Sequence, residues 1–419
     1  MNFIFFGRLA KEKGFDLVVG ALSEIVEKTG ELPGNVFIFG EGSLRENLFQ
    51  KFAGTPFFED CSSLNDETIT QKIELFETSE EGEVPKIYFF GWQSLFAIRS
   101  VLQVSHFSLM PSRFLETFGL SALESLSEGV PVIGFSKGGL TSFIPKELAI
   151  PFSPSDSENI KVLTQTIMEV SEKYSSLDSL LGSEKSEWDA LSHESRRIAD
   201  RYTEERWIGQ VREILPSSTK KILLASDYTT LLGGIETHVQ TIAKTLRQHG
   251  YEVEIFGWDS GKSRFSRLLR LAGLVYSLCN ITSTFVIRKK LREFQPDVVW
   301  LHSVSRFLGP LTVREVVKSD IFSIVTYHDL GLLSPFPSKI ESEAMIPKHP
   351  GLGAFLRAVH SNNPITPLAT CCKYFQVYVL RKFLRKINIH IVPSAFLIPY
   401  IRDIEEVSEE QIVVLEHFL

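Results

Sequence analysis

The sequence predicts an α/β protein made of two doubly wound domains, each with a parallel sheet at its centre. Two observations carry this expectation. Short apolar runs closed by glycine or a polar turn recur along both halves and alternate with segments of helical periodicity, the pattern of βαβ units. The chain has 419 residues, 43% of them hydrophobic and 32 of them Phe, so two domains of about 200 residues can each bury a core.

The elements follow in chain order. Met1 runs directly into the apolar run Phe3 to Phe6, closed by Gly7, so no secretory signal is expected and a cytoplasmic location is. The turn Gly7-Arg8-Leu9-Ala10-Lys11-Glu12-Lys13-Gly14 leads into a helix predicted over Phe15 to Glu27. Val36 to Phe39, followed by Gly40-Glu41-Gly42, and Ile87 to Phe90, followed by Gly91-Trp92, are further strands. Residues 54–85, rich in Asp and Glu, read as an acidic surface insertion between them. Phe107 to Met110 and Val130 to Phe135 flank a crossover helix predicted over Leu120 to Gly129. A joint at residues 216–219, Pro-Ser-Ser-Thr, separates the domains 1–215 and 220–419. Beyond it come a strand over Lys220 to Asp227, a Gly233-Gly234 turn, a helix over Val239 to His249 and a strand over Tyr251 to Phe256. Pro296 to His302, Ser323 to Asp329 and Ile389 to Ser394 continue the alternation, and Pro335 to Pro350 reads as a mobile loop.

The residues that name a chemistry lie around the crossover helix. Glu116 sits in the loop before it and Glu124 within it, eight positions further on. Eight helical residues span about 12 Å, comparable to the reach from the sugar of a sugar nucleotide to its ribose. A carboxylate accepts two hydroxyl hydrogen bonds at once, so each Glu suits a diol. Between them, Thr117-Phe118-Gly119-Leu120 offers backbone N–H groups at a helix start, an anion site. Arg8 and Lys13 project from the first turn at the C-terminal edge of the sheet, where open α/β sheets bind ligands, and would face a diphosphate with two cations. The plain alternatives are a Glu pair that merely favours the helix dipole and a basic turn that is merely solvated.

On these residues, 1–215 resembles the C-terminal, donor-binding domain of retaining glycosyltransferases of family 4, which have the GT-B fold: two Rossmann-like domains with parallel sheets facing across a cleft. The Gly-Arg-x4-Lys-Gly turn and the Glu116-x7-Glu124 pair carry the resemblance. It implies that Arg8 and Lys13 bind the donor diphosphate, Glu124 the ribose, and Glu116 with the adjacent Thr117, Phe118, Gly119 and Leu120 the transferred sugar. Gly7, Gly40, Gly42, Gly91 and Trp92 would border the nucleotide. Many relatives follow the later glycine pair with an acidic residue; here Gly138-Gly139-Leu140-Thr141-Ser142 supplies none.

Residues 220–419 resemble the N-terminal, acceptor-binding domain of the same family, through Gly233-Gly234-Ile-Glu and His328-Asp329. The domains then stand in the reverse of the family's usual order. A natural or engineered circular permutant, a fusion of two transferase halves and a gene-calling or assembly artefact each give that order, and the sequence leaves the three open. The implied function is transfer of a hexosyl group from a UDP- or GDP-linked sugar to a glycan or lipid-linked glycan, with retention. Arg8, Lys13 and the helix N–H groups would stabilise the leaving diphosphate without a metal or other cofactor, and His328 would position the sugar. A sugar nucleotide epimerase of GT-B type and a binding-only fusion are the alternatives.

Charge adds one expectation. Residues 219–419 carry 24 Lys plus Arg against 18 Asp plus Glu, while residues 1–218 carry 20 against 33. The excess gathers in the stretches 262–292 and 381–386, whose apolar neighbours suit peripheral contact with an anionic membrane surface. No nucleic-acid motif accompanies the charge. Leu271 to Ile287 is free of charge but short and interrupted by Asn280, Thr282, Ser283 and Thr284, so a packed helix is expected rather than a membrane span. The four cysteines, Cys61, Cys279, Cys371 and Cys372, have neither metal-ligand spacing nor a disulfide framework, and no metal is expected.

Overall fold

The computed structural model describes residues 1–78, 84–174, 183–229, 234–258, 281–305, 308–334, 340–341 and 367–419. It divides into two compact units, Met1–Tyr202 with Leu419, and Thr203–Phe418.

The first unit alternates β1 (Asn2–Phe6), α1 (Phe15–Thr29), β2 (Asn35–Phe39), α2 (Arg45–Phe52), β3 (Phe58–Asp60), α3 (Asp66–Thr78), β4 (Ile87–Gly91), α4 (Leu95–Gln103), β5 (Phe107–Met110), α5 (Leu120–Ser127), β6 (Val132–Phe135) and β7 (Ala149–Ile150), followed by α6 (Asp156–Tyr174) and α7 (Ser183–Ala199). The sheet order is β3-β4-β2-β1-β5-β6-β7, every pairing parallel. The central strands read as unbroken apolar runs because helices cover both faces, and Phe3, Phe37, Phe89 and Phe107 are all fully buried. The expected acidic insertion is corrected here. Residues 58–60 form a parallel edge strand on β4 and residues 66–78 a helix whose Ile69 and Ile73 are buried. Glu59, Asp60, Asp66 and Glu67, the acidic residues whose side chains are described, are partly or fully exposed on a genuine βα unit, and the acidic density of the segment hid its short apolar stripe.

The second unit contains α8 (Glu204–Ile214), β8 (Lys221–Tyr228), α9 (Gly234–Gln248), β9 (Glu252–Trp258), α10 (Ile281–Phe294), β10 (Val298–Ser303), α11 (Gly309–Lys318), β11 (Phe322–Thr326), α12 (Pro367–Leu384), β12 (Ile389–Val392), α13 (Ile398–Glu405) and β13 (Ile412–Val414). Its parallel sheet runs β13-β12-β11-β10-β8-β9. The packing boundary falls at Tyr202–Thr203, earlier than the expected end of the first domain at 215. Trp207, Ile208 and Val211 of α8, with Leu215 just after it, are buried against Ile222, Leu224 and Trp300 of the second sheet, so the helix belongs there by packing. The joint at 216–219 is a tight turn closed by Thr219 N donating to Pro216 O at 2.9 Å. Gly233, the basic residues 262–270, residues 271–280 and most of the Pro335–Pro350 loop lie outside the described residues. Among the described residues no helix is long and apolar enough to cross a membrane.

Candidate active site

The ends of β1, β2 and β4 form a row of glycines. Gly7 and Gly40 have φ of 146° and 127°, and a Cβ on Gly40 would lie 1.9 Å from Gly7 O. Gly40 N donates to Gly91 O at 2.7 Å, and a Cβ on Gly42 would meet Leu9 O at 2.3 Å. Backbone therefore packs on backbone along this edge, which only glycine permits. Trp92, next in the row, is 76% exposed.

Beside the row, the β1–α1 turn is pressed onto the loop after β5. Gly14 has φ 71°, and a Cβ there would fall 1.8 Å from Pro111 O. Arg113 N donates to Glu12 O at 2.9 Å. This close approach brings Lys13 Nζ to 2.6 Å from Glu116 Oε1, which also accepts from Ser112 Oγ at 2.9 Å. The pair is largely buried, the side chains being 26% and 14% exposed. Two residues 103 positions apart, both chosen from the sequence, thus meet. Arg8 stays outside the pair, 3.1 Å from Glu12 on its own turn and largely exposed.

Gly119, with φ 106°, caps α5, and no side chain caps the helix start. Phe118 anchors the loop below, edge-on to Phe143 and Tyr202. Glu124 lies one turn along α5, half-buried. Burial pushes its carboxyl up to about 7, against the pull of Arg99.

Arg113 and the backbone role of Gly138 and Gly139 were not expected from the sequence. Arg113, buried, binds Asp16 through both terminal nitrogens at 2.5 and 2.9 Å, Asp156 through Nε at 3.0 Å and Lys11 O at 2.7 Å. It ties the turn that bears Lys13 to the loop that bears Glu116. Gly138 and Gly139, where an acidic follower was missed, act by backbone: Gly139 N donates to Glu116 O at 2.7 Å, and a Cβ on Gly138 would sit 2.7 Å from the same oxygen. The Pro-Ser-Arg and Gly-Gly spellings were signals for both, but long-range pairing partners have no local signature. A separate hollow of about 280 Å³ between Glu59 and Lys72 is lined by none of the expected donor residues.

In the second unit, His328 follows β11 with its Nε2 2.9 Å from His302 Nδ1 on β10. Burial, reinforced by His302, His238 and His417, holds its imidazole neutral, far below the ordinary histidine range. Asp329, expected on the acceptor side, caps the short turn Leu330–Leu332 by accepting from Gly331 N at 2.7 Å. Gly234 opens α9. Of the basic stretches, Arg381 is buried and donates to Leu333 O, while Arg288 and Lys290 pair with Glu315 and Glu254, which leaves fewer free cations than the sequence count suggests.

Comparison with known proteins finds a family match in each unit. The Glycosyl transferases group 1 model matches residues 2–179, and the Glycosyltransferase Family 4 model matches residues 232–418. An uncharacterized glycosyltransferase of Methanocaldococcus jannaschii is 27% identical over 146 residues, 35% of this chain and 30% of that protein. The chain thus spans about a third of the curated relative it matches. Among solved structures, the pneumococcal O-GlcNAc transferase GtfA, in complex with UDP and GlcNAc, aligns with 51% of this chain and 35% of its own at 20% identity and a TM-score of 0.32. The Anabaena protein HepE in complex with UDP aligns with 48% and 44% at 16% identity and a TM-score of 0.30. Two parallel-sheet units, one bearing the Lys13–Glu116 pair and the other the buried histidines, thus each match a glycosyltransferase family model, group 1 ahead of family 4 along the chain.

Proposed function

We propose that the chain transfers a hexosyl group from a UDP- or GDP-linked sugar to a hydroxyl of a glycan or lipid-linked glycan, with retention at the anomeric carbon. The Lys13–Glu116 pair carries the reading. It sets a cation beside a carboxylate at the glycine edge of a group 1 domain, next to an uncapped helix start. As the sugar–phosphate bond breaks, negative charge grows on the leaving diphosphate. Lys13, Arg8 and the first N–H groups of α5 oppose it, so the diphosphate needs no metal. Glu116 accepts from hydroxyls of the transferred sugar and Glu124 from those of the ribose, with Trp92 beside the base. The leaving phosphate takes the acceptor's proton. In the family 4 domain, neutral His328 is assigned to the sugar, and Gly233 and Gly234 to close approach. The matched domain order, group 1 before family 4, is read as the reverse of the family's usual one.

Release of nucleoside diphosphate from a panel of UDP-, GDP- and ADP-sugars, with and without crude glycan and lipid acceptors, tests this. Release from one donor, raised by an acceptor and reduced about 100-fold or more in Lys13→Ala and Glu116→Ala, is expected. No release from any donor by folded protein would sink the reading, and a new sugar nucleotide formed from donor alone would identify an epimerase instead.

A further inference from the structure

We infer that the family 4 domain carries a binding site for one late first-row divalent metal ion, of which zinc is the best fit, formed by His238, His328 and His417. Among the described residues, the ring nitrogens of these three lie within 4.8 Å of one another, and no other group of His, Cys, Asp or Glu meets as closely. They come from three elements that only the fold unites: α9, the end of β11 and the segment after β13. His238 and His417 are buried, with ring centroids 4.0 Å apart, and His328 stacks on His417 at 5.6 Å. Tetrahedral zinc at about 2.05 Å from each nitrogen needs ligands about 3.3 Å apart, so small rotations of the rings suffice.

Two further features complete a three-histidine site. His302 Nδ1 lies 2.9 Å from His328 Nε2, the kind of outer contact that fixes the tautomer and orientation of a ligating imidazole. A cavity of about 10 Å³, at the lower limit for one water, adjoins two of the three ligands: His238, His417 and Thr326 are its polar wall, and Trp207, Ile242, Trp300, Ile391 and Leu415 close the rest. Imidazoles with an open position suit zinc, copper or nickel and exclude magnesium and calcium, which take oxygen ligands. The site shares His328 with the proposed transfer, and since one ring nitrogen of His328 already faces His302, a bound metal and a sugar hydroxyl would compete for the other.

The test uses the full chain, stripped with a chelator and exchanged into metal-free buffer. Cobalt(II) titration, followed by the intense visible absorption of tetrahedral cobalt, is expected to saturate at one ion per chain and to be reversed by one equivalent of zinc. His417→Asn and His238→Gln, each checked for fold by circular dichroism, are expected to weaken binding at least 100-fold, while His193→Ala, an exposed histidine of the other unit, leaves it unchanged. If one variant does not fold, the other decides. Absence of stoichiometric binding, octahedral cobalt spectra only, or equal affinity in parent and variants would overturn the site. The readout needs no sugar donor, so it stands or falls independently of transferase activity.

Discussion

Glu124 has two environments to serve. Its folded proton affinity, raised to about 7, lies above the ordinary value of 4.5, so the folded state binds the proton more tightly than the unfolded one. The stability this confers is fully present below pH 4.5 and is lost as pH rises through 7, a swing of about 3 kcal/mol at 1.36 kcal/mol per pH unit. Denaturation midpoints across this range are expected to fall with pH in the parent and to flatten in Glu124→Gln. Ribose hydroxyls prefer an ionised acceptor, so donor affinity is expected to rise as pH passes 7. A titration in which Glu124→Gln keeps that rise would assign it to another group. Lys13 and Glu116 are the simpler case: each already holds the partner charge that the proposed donor would compete for.

At the scale of elements, the site depends on how closely the β1–α1 turn lies on the loop after β5. Gly14→Ala drives a methyl into Pro111 O at 1.8 Å and is expected to cost more than about 3 kcal/mol in chemical denaturation. Gly30→Ala is its control, since φ is 81° but nothing lies within 4 Å of the added methyl, and about 1 kcal/mol is expected. Arg113 holds the same two segments by charge. Arg113→Met leaves Asp16 and Asp156 without their buried partner and is expected to lower stability by about 3 kcal/mol. Arg113→Lys restores charge but not the fork, so partial recovery of stability with poor recovery of nucleoside diphosphate release would mark geometry, not charge alone, as its contribution.

At the scale of the whole molecule, each unit closes its core with chain from far along the sequence. In the second, α8 enters from the side of the joint and Phe418 from the other end of the chain: Trp207 stacks on Trp300 at 6.1 Å and meets Phe418 at a tilt, ring centroids 4.8 Å apart. Phe418 is 6% exposed, so Phe418→Ala is expected to cost about 3 kcal/mol or more by leaving a cavity under Trp207. Unfolding followed by the fluorescence of Trp207 and Trp300 would show it, and an unchanged midpoint would mean that the tail is not part of this core. Peripheral membrane contact belongs to this scale too. Phe285 and Phe375, 63% and 58% exposed on α10 and α12, are the apolar side chains that the proposed contact would use. Binding to vesicles of anionic but not neutral lipid, reduced in Phe285→Ser, is the expected outcome.

The sequence by itself determined the two α/β domains, the order of their strands along the chain and the choice of Lys13 and Glu116, which the fold brings together. Apolar runs, glycine punctuation and the Glu spacing are local properties of a polypeptide. It misread residues 54–85 because a short edge strand with few apolar residues has no periodicity to set against a high density of charge. It was silent on Arg113, on the packing of Gly138 and Gly139 against Glu116 and on the meeting of three histidines, and it ended the first domain after α8. Only the tertiary structure decided these, because a buried ion pair, a backbone-to-backbone contact or a cluster of imidazoles depends on partners tens to hundreds of residues away. The energy of each lies in a close approach that the sheet order creates and that no window of sequence contains.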